Sequence, residues 1–281
     1  MMIALTVDIT PDDQRGMIRI IQAALSLFLI LSSSQAGALE HPPGWPQTLN
    51  VGYFVLEPHA FEPPKAGEHR GMAITYFNEI ASCLGTRAEW QRLPFSRLLY
   101  SLERNHIQVA LFLAANEDRR ARFQYPAEPF FNMRSAIAVR GDQPLHSITN
   151  IDDLIPLRIG FFHEGFRSPL MMDDRLKFTM MTGSNNVFES LVRQLIAKRI
   201  DAIYNPTGLS LEHQINSMQL NHVIRMLPLP EPPTGLYTVF SQQVSKSWIE
   251  AYNKQNHSRS LAFKYQSAIS NNRFSPSACA S

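Results

Sequence analysis

Two stretches of the chain follow one design at a constant offset of 93 residues, and this repeat limits the possible folds more than any single motif. Leu98-Leu99-Tyr100-Ser101-Leu102 leads to Ile107-Gln108-Val109-Ala110, and Leu191-Val192-Arg193-Gln194-Leu195 leads to Ile200-Asp201-Ala202-Ile203. In each, apolar residues spaced i, i+3, i+4, i+7 (Phe95, Leu98, Leu99, Leu102; Phe188, Leu191, Val192, Leu195) predict a helix feeding a strand. Asn186, three residues before Glu189, reads as a start signal for the second helix. Upstream, Val51-Gly52-Tyr53-Phe54 matches Ile159-Gly160-Phe161-Phe162, each as a strand ending in a loop. Two strand-helix-strand units imply two α/β lobes with mostly parallel sheets. Ligands of such sheets bind beyond the carboxyl ends of the strands.

Proline-dense segments cannot occupy a central strand or a helix interior. Val139-Arg140-Gly141-Asp142-Gln143-Pro144 and Leu227 to Gly235 therefore read as connections between the lobes, a two-crossing hinge. Leu236 to Phe240 reads as a strand returning to the first lobe, followed by a helical region from Ser245 to Ser270. The expected organisation is a leader at 1–38, lobe 1 at 49–139 plus 236–270, lobe 2 at 144–228 and a tail at 271–281.

The leader is read as a secretory signal. Arg19 precedes an apolar run from Ile20 to Leu31, followed by serines and the small-residue pattern Ala36-Gly37-Ala38, with cleavage expected after Ala38. Asp8, Asp12 and Asp13 make the first 16 residues acidic where such a signal is basic, so translation is expected to start at Met17. Losing residues 1–38 removes two basic and three acidic groups and moves the formal charge from +2 to +3, which points to no nucleic-acid partner. The mature protein is expected in the periplasm, a compartment that permits a disulfide. Cys83 and Cys279 are the two cysteines, and whether they are bridged is left open.

Asn116, Glu117 and Asp118 form a helix start directly after the apolar run Val109 to Leu113, which places Arg119 in the first helical turn. A cation there is disfavoured by the helix dipole. Either the neighbouring acids offset it on a solvated face, or Arg119 faces an anion. His59 and His69 with Glu57, Glu62 and Glu68 have no recognisable metal-ligand spacing. No nucleophile elbow and no Gly-rich phosphate loop is present, so no metal or cofactor is expected.

The layout as a whole, with "LNVGYF", the loop Glu57-Pro58-His59-Ala60-Phe61, Gly71-Met72-Ala73-Ile74, Leu93-Pro94-Phe95-Ser96-Arg97-Leu98 and "IQVALFLAANEDRRARFQYP", resembles the bacterial extracellular solute-binding proteins of family 3, the polar amino acid uptake group. The resemblance spans roughly Asn50 to Gln266. It implies a periplasmic-binding-protein-like fold, capture of a small carboxylate-bearing solute, and delivery to the membrane subunits of an ABC transporter by a monomer that is not an enzyme. It places the carboxylate-binding arginine at Arg119, Asn116 where threonine is usual, and a ligand-packing side chain at Phe95. Ala114 stands where a hydroxyl residue is common. Asn205, with Pro206, stands where an amine-binding carboxylate would follow the strand Ile200 to Tyr204. The remaining candidates are Leu113 at the strand end, Tyr53 and Phe61 as pocket or core, and His163, Glu164 and Arg167 in the second-lobe loop. Ser168 and Pro169 in that loop form a helix start. An enzyme on the same fold, dehydratase-like and using Glu164 with His163, and a soluble sensor partnering a membrane receptor are the alternatives.

Overall fold

The two repeated units fold as the central parts of two five-stranded sheets. The computed structural model describes residues 44–163, 165–182, 187–258 and 279. The leader with Met17 and Ala38, Glu164, Asn186 and the tail apart from Cys279 lie outside the described residues. The chain runs β1 (Thr48–Tyr53), α1 (Met72–Cys83), β2 (Arg87–Arg92), α2 (Phe95–Glu103), β3 (Val109–Ala114), α3 (Glu117–Arg122) and β4 (Phe131–Met133). It continues with β5 (Ala136–Arg140), β6 (Arg158–Phe162), β7 (Lys177–Met181), α4 (Val187–Ile196), β8 (Ala202–Asn205), α5 (Gly208–Ser217) and β9 (Ile224–Pro228). It returns as β10 (Thr234–Phe240) and α6 (Lys246–Ser258). The sheet orders are β2-β1-β3-β10-β4 and β7-β6-β8-β5-β9.

The repeat has a packing cause. Gly52 in β1 approaches Leu98 and Ile107 so closely that an added Cβ would lie 2.5 Å from a methyl of each. Gly160 in β6 meets Ile200 and Leu191 in the same way, at 2.6 and 2.7 Å. All four partners are buried. The strand registers also correspond: Val51 faces Val109 and Gly52 faces Ala110, as Ile159 faces Ala202 and Gly160 faces Ile203. Glycine is thus what lets each helix settle onto its sheet.

The crossings differ from the expectation at one end. Ala136–Arg140 is a strand of the second sheet, paired antiparallel with β8 and β9, so the first crossing lies at residues 134–135 and not after 139. Proline was a poor guide here: residues 141–144 form a turn inside the second lobe, where the Gly141 N–H donates to Val223 O at 2.8 Å. The second sheet is left again at residues 229–233, inside the proline-dense segment, whose two ends belong to β9 and β10. This crossing is tied to the second lobe by Glu231, whose Oε1 accepts from the Leu170 N–H at 2.7 Å.

The returning segment completes the first lobe. β10 lies between β3 and β4, and α6 lays Trp248 and Tyr252 against Phe240 and Phe77. The Trp248 indole donates to Thr86 Oγ1 at 2.9 Å and the Tyr252 hydroxyl to Thr238 Oγ1 at 3.0 Å, so the polar edges of both rings are satisfied in the core. Cys83, at the end of α1, is bridged to Cys279, 196 residues further on.

Candidate ligand-binding site

A cleft of about 620 Å³ lies where the carboxyl ends of β1, β3, β6 and β8 face each other, the position at which α/β sheets bind ligands. Its mouth is bridged from both lobes. Glu57 Oε2 accepts from Gln214 Nε2 at 2.9 Å and lies 3.6 Å from His213 Nε2, while Phe61 meets the His213 ring edge-on at 5.9 Å.

On the first-lobe side, Asn116 caps α3, its Oδ1 accepting from the Arg119 N–H at 2.8 Å. This sets Arg119 at the third helical position with its side chain in the cleft wall. The guanidinium donates to Ala114 O at 3.0 Å and lies over the Phe95 ring at 5.4 Å. Among the described residues no carboxylate lies within salt-bridge distance of it. Burial pushes its pKa down, offset in part by Tyr125 and Asp118, yet an arginine remains cationic. Its other donors stay available for an anion. Because α3 spans only Glu117–Arg122, Arg119 lies as close to its last turn as to its first. The dipole penalty expected from the sequence is therefore small, and the Phe95 face and Ala114 carbonyl are what orient the side chain.

A β-bulge builds the neighbouring wall. The β3/β10 register shifts by one residue between Tyr237 and Val239, and Phe112 takes φ 70°, a left-handed conformation rare for a bulky residue. The extra residue turns Leu111, Phe112 and Ala114 to one face of the sheet and leaves Leu113 on the other. Phe112 consequently lines the cleft, where Phe54 joins it to Phe95 through edge-on contacts at 5.6 and 5.3 Å. Backbone strain of this kind tends to collect at functional sites.

On the second-lobe side, Asn205 ends β8 and is buried, 1% exposed. Its Oδ1 accepts from the Thr207 N–H at 2.9 Å, and its Nδ2 is buried without a partner. Thr207 caps α5 by accepting from the Ser210 N–H at 3.2 Å, which puts Ser210 at the helical position that Arg119 holds in α3. The Ser210 hydroxyl is likewise buried without a partner. Tyr204 donates to Phe166 O at 3.2 Å and accepts from the Ser168 N–H at 3.0 Å, and burial raises its pKa. The cleft carboxylates are engaged: Glu62 with Arg92 at 2.9 Å, Glu57 with Gln214, and Glu189 with Arg193 at 2.6 Å.

Of the residues expected in the site, Arg119, Phe95, Ala114 and Asn205 line the cleft. The others are placed elsewhere. Asn116 is exposed and serves as the cap. Leu113 is buried with Leu98, Leu102 and Phe123 on the side turned away by the bulge. Tyr53 is core, its hydroxyl 2.9 Å from His69 Nδ1 and its ring against Trp90. Phe61 sits at the mouth beneath Arg70, outside the lining. Arg167, whose guanidinium lies over Phe178, and His163, whose backbone N–H donates to Met181 O at 3.0 Å, are both outside the cleft lining. Sequence reasoning missed Phe54, Phe112, Phe162, Tyr204 and Ser210. Phe54 and Phe162 were recoverable, because they close the two matching strand ends. Among the described residues no group of three His, Cys, Asp or Glu is placed to hold a metal ion.

Solved structures share this architecture. An ancestral arginine-binding protein bound to arginine superposes with a TM-score of 0.65 at 19% identity, covering 82% of this chain and 100% of its own. The amino acid ABC transporter substrate-binding protein AbpA of Streptococcus pneumoniae, bound to L-arginine, gives 0.65 at 16% identity, covering 80% and 94%. The VFT2 domain of Bordetella pertussis BvgS gives 0.65 at 17% identity, covering 81% and 94%. No curated protein matches the chain in sequence. At these identities the likenesses establish the fold. The model of the bacterial extracellular solute-binding proteins, family 3, matches residues 49–256, and the chain belongs to that family.

Proposed function

We propose that the protein is a periplasmic solute-binding protein, exported by the signal ending at Ala38, that captures a small carboxylate-bearing solute without altering it and delivers it to an ABC transporter. The observation that carries this is Arg119: a buried-edge guanidinium aimed into a cleft between two lobes, backed by an aromatic ring and free of any carboxylate partner among the described residues. Such a group is costly unless an anion completes it. The likeness to arginine-bound solute-binding proteins supports an amino-acid-like ligand. The equal likeness to the BvgS domain supports sensing as a second reading, which reconstitution with candidate transporter subunits separates from transport.

Mass spectrometry of small molecules released from the purified protein should identify a carboxylate. Calorimetry should then show Arg119→Ala weakening that ligand by about 1.5–3 kcal/mol, with Arg119→Lys between it and the parent because lysine lacks the planar fork. Folding stability should change by less than about 1 kcal/mol. Small-angle scattering should show contraction on binding as the lobes close about residues 134–135 and 229–233. An Arg119→Ala protein that binds as tightly as the parent removes Arg119 from the site.

A further inference from the structure

We propose that the ligand is an aromatic or bulky apolar carboxylate carrying a hydroxyl or keto oxygen beside the carboxylate, and not an α-ammonium. This rests on the reading that Arg119 holds the carboxylate. Four observations lead to it.

The first is the donor at Asn205. Its Oδ1 accepts from the Thr207 N–H, and because a backbone N–H can only donate, the amide orientation is fixed and Nδ2 is the unpartnered atom. A ligand group meeting it must accept. An ammonium would set donor against donor, leaving both unsatisfied in a buried site. Second, the Ser210 hydroxyl, unpartnered and 2% exposed, lines the same lobe's wall of the cleft and can donate to a ligand oxygen, though as a hydroxyl it can also accept. Third, the carboxylates lining the cleft are already committed to Arg92, Gln214 and Arg193. Glu62 and Glu189 are thereby neutralised by arginines; Glu57 keeps its charge, its partner being a neutral amide, but it sits at the mouth of the cleft, and a desolvated cation away from a counter-charge is strongly disfavoured. Fourth, phenylalanine is the commonest residue in the lining, with Phe54, Phe95 and Phe112 from one lobe and Phe161, Phe162 and Phe188 from the other. Such walls favour an aromatic or apolar body.

The two ends of the cleft thus select different things. Arg119 selects the carboxylate and is indifferent to what lies beside it. Asn205 reads the neighbouring group, and it rejects by leaving polar atoms unpaired as well as by attraction, whereas the Ser210 hydroxyl can donate or accept and adds no rejection of its own.

Two compounds of one skeleton test this on the full chain by calorimetry: L-3-phenyllactate, with a hydroxyl beside the carboxylate, and L-phenylalanine, with an ammonium. The parent should bind phenyllactate at least about tenfold more tightly, and Asn205→Asp should reverse the preference. The parent comparison decides alone if the variant does not fold. Phenylalanine bound equally or more tightly, with Arg119→Ala abolishing it, overturns the ligand class and leaves the carboxylate reading standing. Failure of both compounds to bind overturns the class as well. Phenyllactate binding that survives Arg119→Ala overturns the class and the reading beneath it.

Discussion

The two lobes share a frame and part company at the rim of the cleft. Up to the strand ends they correspond closely, each with a glycine beneath a leucine and an isoleucine, the same parallel register, and a capped helix whose third residue faces the ligand space. Beyond that point the first lobe offers a cation at Arg119 and the second a hydroxyl at Ser210. β3 carries a bulge against its antiparallel neighbour, whereas the β5/β8 register runs without a shift. The frame is constrained by packing, which tolerates little change. The rim residues are held by caps and side-chain contacts, so chemistry can differ there at small structural cost.

The largest expected difference between the lobes comes from the disulfide, which fastens α1 of the first lobe only. Cys83→Ser should cost about 2–4 kcal/mol. Hydrogen exchange should place the lost protection in the first lobe and leave the protection of β6 and β8 unchanged. Equal losses in both lobes would mean that they unfold as one unit and that the comparison has no energetic counterpart.

Next in size is the shared frame. Gly52→Ala and Gly160→Ala each force a methyl into contacts of about 2.5 to 2.7 Å with packed side chains, and each should cost about 1–3 kcal/mol in urea unfolding. The costs should agree between the lobes. A tolerated Gly160→Ala beside a damaging Gly52→Ala would show that the repeat is one of sequence and not of packing.

What could be read from the sequence divides along the same line. The helix periodicity, the strand ends, the return of Leu236 to Phe240 and the Asn116 cap all follow from local pattern, and the structure contains each of them. The bulge does not follow, because Val109 to Ala114 is apolar throughout and buried on both faces. With no alternation to mark which residue faces where, Leu113 was expected in the cleft in place of Phe112. Tyr53 is similar: its sequence left pocket and core equally open, and His69 supplies its hydroxyl with a partner inside the fold. The pairing of Cys83 with Cys279 depends on where a distant terminus comes to rest, and local pattern is silent on that.

The smallest expected effect concerns acid, and it too divides the lobes. His59 is fully buried between Phe112 and Phe131, at ring distances of 5.8 and 4.7 Å; among the described residues the second lobe has no buried histidine. Burial pushes its pKa down to about 3 from an ordinary 6.5. Between those values the unfolded chain takes up a proton that the folded chain refuses, so stability rises with pH there. The contribution is fully present above about pH 6.5 and declines by up to about 1.4 kcal/mol per unit as the solution is acidified. The tryptophans, Trp45, Trp90 and Trp248, all belong to the first lobe, so their fluorescence reports that lobe alone. Urea midpoints read this way should fall between pH 6.5 and 5 in the parent and fall less in His59→Gln, which cannot titrate. Parallel losses in the two proteins would show that His59 is not the acid-sensitive group. Because Phe112 packs on His59 and also lines the cleft, a first lobe loosened by acid should lose its ligand before it unfolds.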